Sequence, residues 1–242
     1  MEKVEGVLPK WISRQASLGP NVEVNGKYTI EDKFWYCLTL CCPLIFEKYA
    51  VVLHPFWIND IVKKRIEAGL LVNENSIEKY DFKSLNWTKF FFAYGKNFDL
   101  NTASNIAEEI RVQLLKEKWP EYVWFPAEGD IENEQLIGIR NVIEELHGNS
   151  DANYYYCLLK TTAFENEIIY KGKLSELEDL WVNVDVRDNP TAMFPDSKDW
   201  CVVTDFDLDI TFVGGSARLI EKLVQLKELD IFSIEPKFAE KK

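Results

Sequence analysis

The order of apolar and polar positions divides this chain into strand-like ends and a helical middle. Val22 to Thr29 alternates around Asn25-Gly26, the pair that a tight hairpin turn favours. The run FWYCLTL, Phe34 to Leu40, is almost wholly apolar and predicts a buried strand, with another short strand at Ala50 to Leu53. The period then changes. Ile58, Ile61, Val62 and Ile66 recur at near-helical spacing, with Gly69 as a stop. Ile106, Ile110 and Leu114 form a second such stripe within Thr102 to Lys118, which Trp119-Pro120 closes. Leu136, Ile139, Val142, Ile143 and Leu146 form a third, with Asp130 placed to cap it and Gly148 to end it.

The last third returns to strands. Tyr154 to Leu159 and Glu167 to Tyr170 read as two of them, followed by a short helix from Ser175 to Trp181. Trp200 to Val213 reads as one long strand. Ser216 to Leu226 is an amphipathic helix with Leu219, Ile220, Leu223 and Val224 inward, and Asp230 to Ile234 is a closing strand. Strands at both ends with helices between them predict an α+β fold: an antiparallel or mixed sheet covered by helices from the middle of the chain. The expected organisation is a single domain over 1–242, with 58–148 as a helical insertion in the alternative.

Composition narrows the class. Apolar residues make up 47% of the 242 positions and aromatics 14%, enough for a substantial core. The formal net charge of −12 repels nucleic-acid phosphate and anionic lipid, so neither is an expected partner; a basic protein is. No apolar run is long enough to span a bilayer. Five cysteines without a CxxC pair, and two histidines, argue against a disulfide framework or a transition-metal site. Reduced thiols, a cytoplasmic setting and no cofactor are the corresponding expectations.

Candidate chemistry concentrates in WCVVTDFDLDITFVGGS, Trp200 to Ser216. If this is a straight strand, Asp205, Asp207, Asp209 and Thr211 share one face and Phe206, Leu208, Ile210 and Phe212 the other. Three carboxylates about 7 Å apart need solvent, facing cations, a hard metal ion or a basic partner to offset their repulsion. Gly214-Gly215-Ser216 matches no phosphate-binding loop and reads as a turn with Ser216 as helix cap. His54, in VVLHPF, is a candidate base without an identifiable triad partner. The acidic run Glu165, Glu167, Glu176, Glu178 and Asp179 reads as a solvated face. Trp87, Phe90, Phe91, Phe92 and Tyr94, and then Trp119, Tyr122, Trp124 and Phe125, form two aromatic clusters suited to a core, a pocket or an interface.

Four stretches carry a resemblance: PLIFEKYAVVLHPF, VWFPAEGDI, NYYYCLL with a later YKGKL, and MFPDSKDWCVVTDFDLDITFVGGSARLI. Together they resemble a family of uncharacterised bacterial proteins, largely actinobacterial, that share a Trp-Cys-Val, Thr-acid, alternating-Asp, Val-Gly-Gly-Ser motif. Asp205 stands where that family usually has Glu. The resemblance implies a shared fold and a bacterial cytosolic setting, and brings no catalytic residues with it. Three functions fit these observations. One is a non-enzymatic, immunity-like protein-binding module with an acidic surface. The second is a carboxylate- or metal-assisted enzyme built on Asp205, Asp207 and Asp209. The third is a small-molecule binder with an aromatic-lined pocket. The binding residues expected for these are Asp205, Asp207, Asp209, Thr211, His54 and Trp124.

Overall fold

A computed structural model describes residues 1–4, 8–12, 37–38, 41–70, 82–117, 122–164 and 166–235. In chain order the elements are β1 (Glu2–Val4), β2 (Lys48–Leu53), β3 (Phe56–Ile58), α1 (Asp60–Glu67), β4 (Lys83–Leu85), α2 (Trp87–Ala93), α3 (Ala103–Glu117), β5 (Val123–Trp124) and α4 (Asn133–His147). They continue with β6 (Asp151–Tyr156), a 3-10 turn at Leu158–Lys160, β7 (Ile168–Lys173), a 3-10 helix at Leu174–Val182, β8 (Ala192–Phe194), β9 (Cys201–Val203), β10 (Ile210–Gly215), α5 (Ala217–Val224) and β11 (Ile231–Ile234). The fold class is α+β, with strands from both ends of the chain in one sheet.

The chain forms two compact units, one from residues 1–54 and 128–242, the other from residues 55–127. The first is built on an eight-stranded sheet in the order β1-β7-β6-β8-β9-β10-β2-β11, antiparallel at every pairing. β2 lies between β10 and the edge strand β11, both from the far end of the chain: Val52 pairs with Thr211 on one side and Ile231 on the other. Alternation puts Ala50, Val52, Ala152, Tyr154, Tyr156, Ile168, Tyr170, Met193, Val202 and Val213 on one face. That face packs on Leu136, Ile139 and Ile143 of α4, Leu174, Leu177 and Leu180 of the 3-10 helix, and Leu219, Ile220 and Leu223 of α5. On the opposite face Phe46 lies over Gly214, where a Cβ would come within 2.3 Å of its ring, and Trp11 meets Phe194 edge-on. Helix α4, inside the 58–148 span, belongs to this sheet unit.

In the second unit β3 pairs with β4 and β5. Asn59 caps α1 by accepting from the amides of Ile61 and Val62, and Asn86 caps α2 by accepting from Lys89. The first aromatic cluster is core. Phe56 stacks on Phe90 at 3.6 Å between ring centres, and Trp87 and Phe91 are buried beside them, whereas Phe92 points to solvent.

Several expectations need correction. The long strand at Trp200 to Val213 is a hairpin of β9 and β10, with Val203 opposite Phe212. Cys37, Leu38 and Cys41 are helical, so FWYCLTL is not a continuous strand; its other residues, the hairpin at Val22 to Thr29 and Trp119-Pro120 lie outside the described residues. In α1 only Val62 is buried, because the Asn59 cap sets a phase that leaves Ile61 and Ile66 exposed. Val224, the last residue of α5, is also exposed. Asp130 does not cap α4, whose N-cap position is Glu132. Strand β6 stops at Tyr156, because Leu158 turns the backbone out of register with a φ of 54°.

Candidate functional site

The hairpin decides where the aspartates go. Asp205 bends the chain after β9: its carboxylate accepts from the Asp207 amide at 3.2 Å, and its carbonyl accepts from the Leu208 amide at 3.2 Å. Asp205 is therefore buried, Asp207 sits exposed at the tip, and Asp209 is half-buried on the return. The three do not form a row on one strand face. Phe206 and Leu208 are half-buried and border Gly129: the Gly129 amide donates to the Leu208 carbonyl, and the backbone of Phe206 comes within 2.7 Å of where a Cβ would stand. With φ at +79° and no room for a side chain, only glycine fits there.

Thr211 and His54 meet inside the sheet. His54 Nε2 lies 3.0 Å from Thr211 Oγ1, which lies 2.6 Å from Thr204 Oγ1 across the β9–β10 pair. The His54 amide donates to the Asp209 carbonyl at 3.1 Å. All three side chains are fully buried, so this chain of polar groups is a cross-strand clasp of hydroxyl and imidazole. Trp124 belongs to the other unit, where it stacks on Phe82 at 4.1 Å. Among the described residues, no three His, Cys, Asp or Glu side chains stand close enough together to hold a metal ion. Gly214 and Gly215 end β10, and the Ser216 hydroxyl accepts from the Leu219 amide at 3.2 Å, as a helix cap does.

One cleft opens at an end of the sheet. It holds about 280 Å³ and is lined by polar groups, among them His147, Asp151, Lys171, Asp196 and Ser197, with the buried Trp200 at its base. Two of its carboxylates are paired, Asp151 with Lys173 at 2.9 Å and Asp196 within the cleft. Lys171 pairs with Asp196, and the Asn153 amide donates to the same carboxylate at 2.8 Å; these two contacts hold Asp196 below the usual carboxylate range.

Sequence reasoning missed a second buried network, centred on Asn189. Its side-chain amide donates to the Ile131 carbonyl at 2.7 Å and to Asn133 at 2.8 Å, and its side-chain oxygen accepts from the Trp181 indole at 2.8 Å. Its backbone amide donates to Asp130 at 3.0 Å, and its carbonyl accepts from the Lys160 ammonium at 2.7 Å. Lys160 also reaches Asp130 at 3.4 Å. Burial pulls the Lys160 ammonium below its ordinary range and pushes the Asp130 carboxyl above its own. The network ties the start of α4 to the loops after β6 and after the Leu174–Val182 helix. Lys160 follows two leucines and Asn189 precedes a proline, an unremarkable local pattern that gives no sign of burial. Among the described residues no helix is long and apolar enough to cross a membrane. Comparison of the chain with protein-family models, with curated proteins and with solved structures finds no match.

Proposed function

We propose that this chain is a non-enzymatic protein-binding module, immunity-like in that it masks a basic partner with an acidic surface. One observation carries the reading. The groups that chemistry would use, His54, Thr204 and Thr211, are bonded to one another in the interior, while carboxylates such as Asp207, Asp196 and Asp199 are exposed on a chain of net charge −12. Such a surface acts over distance, raising the association rate with a cationic protein. The resemblance to a largely actinobacterial family agrees with a bacterial setting. A small-molecule binder is the second reading, favoured by the cleft around Lys171 and Asp196.

The test begins with affinity capture from the native cell and identification of what is retained. Replacing Asp205, Asp207 and Asp209 together by Asn keeps the Asp205 oxygen that bends the hairpin and removes charge. The association rate of a captured basic protein should fall and lose part of its salt dependence, with stability equal or improved. A loss of roughly 1–3 kcal/mol in stability with capture unchanged would assign these residues to the fold instead. A co-purifying metabolite with no retained macromolecule would replace this reading with the second.

A further inference from the structure

We infer that the basic partner docks on the face made by residues 157–164 and 182–188, and that its docking surface is a cationic one carrying apolar anchors. The inference rests on the acidic-module reading and adds a place and a chemistry to it. Scattered exposed apolar side chains are ordinary. Here they are gathered: Leu159 is 63% exposed, Phe164 56%, and Val182 and Val184 84% each, with Leu158 at the margin. The two segments are joined through their backbones. Thr161 and Val186 form a bridge, the Thr162 amide donates to the Asp185 carbonyl at 3.0 Å, and the Arg187 amide donates to the Lys160 carbonyl at 2.9 Å.

The face is also held from beneath. Lys160 and Asn189, the centre of the buried network, lie directly behind Leu159 and Asp188 in the chain. Leu158 and Asp188, with φ of 54° and 57°, take a backbone conformation that costs free energy unless the surroundings impose it. A patch on such fixed loops presents apolar groups without a large ordering cost on binding.

Charge selects the occupant. Glu167, Asp179 and Asp188 are exposed around the apolar groups; among the described residues Arg187 is an exposed cation in this face, and Lys3 reaches its edge, where it is held by Asp185 at 2.7 Å. Asp179 precedes Val182 by one turn of 3-10 helix, so the two share a side. Glu167 and Cys157, the residue before Leu158, both meet the Tyr155 hydroxyl, which brings Glu167 to the edge of the face. An acidic rim repels anionic lipid and a second copy of itself, and attracts Lys and Arg around an inserted Leu or Phe.

Two synthetic helical peptides of equal positive charge provide the probe, one with Leu and Phe along a face, the other with Ser in their place. Fluorescence anisotropy with the full chain should show the Leu/Phe peptide binding at least about tenfold more tightly. The Leu159→Ser/Val184→Thr variant, at exposed positions and checked for an unchanged melting temperature, should remove that difference. Asp179→Asn/Asp188→Asn should weaken both peptides and flatten their salt dependence. If wild type binds both peptides equally, or the Leu159→Ser/Val184→Thr variant keeps the difference, this face is not the docking surface while the acidic-module reading stands. If neither peptide binds, both fail. Sedimentation with phosphatidylserine vesicles, or a dimer that Leu159→Ser dissolves, would overturn the inference by naming another occupant.

Discussion

Lys160 is a cation held inside the protein, and its partners set what each substitution costs. Lys160→Met removes the donor to Asn189 and leaves Asp130 facing a methyl, which should destabilise by about 2–4 kcal/mol in urea unfolding. The pH dependence has a definite sign. Because its folded-state pKa lies below the ordinary lysine value of 10.5, wild type should gain stability relative to Lys160→Met as pH rises from the lowered value toward 10.5. Asp130, raised by burial, works oppositely: its neutral form is favoured in the fold, and that contribution is lost as pH climbs through the raised value. Tyr156 makes the reverse case. Its hydroxyl is buried without a hydrogen-bond partner among the described residues, so Tyr156→Phe should raise stability by about 1 kcal/mol. A loss of that size would mean that the hydroxyl is satisfied after all.

At the scale of elements, periodicity was readable wherever one face decided it. The stripes of α3 and α4 and the alternation of β11 follow from residues that meet a core on one side. Trp200 to Val213 misled because both faces of β9 and β10 are buried and because the turn between them uses aspartates and a phenylalanine rather than Asn-Gly. An alternating Asp pattern looks the same in a strand and in an Asx turn; only the partner across the sheet separates them. The candidate residues divide along that line. Thr211 and His54 come together through β2 and β10 pairing, which no local pattern encodes, and Asp205 serves the turn. Close approach is equally invisible in sequence: Gly214→Ala should destabilise by roughly 1–3 kcal/mol because the new methyl meets the Phe46 ring, and Phe46→Leu should recover part of it.

For the whole molecule, thiol chemistry gives a direct check. None of the five cysteines is in a disulfide, and Cys42 and Cys201 lie with sulphurs 3.2 Å apart in the interior, Cys42 held as a thiol by burial. Protein purified and denatured without reductant should titrate five thiols; three would place the Cys42–Cys201 pair as a disulfide.

The strand β2 waits for its partners. Leu53 is joined to Ile210, and Val52 to Ile231, so neither neighbour exists when β2 leaves the ribosome. At ordinary rates of synthesis the interval to β10 is roughly 8–30 s, long compared with hairpin formation. Residues 55–127, in which β3 pairs with β4 and β5, are synthesised well within that time. The nascent chain therefore passes through a stage in which the whole inserted unit has been made while the apolar run Tyr49 to Leu53 still lacks β10 and β11. Stalled chains ending before Ile210 should show this run open to protease or bound by chaperone, and chains released past Ile234 should not.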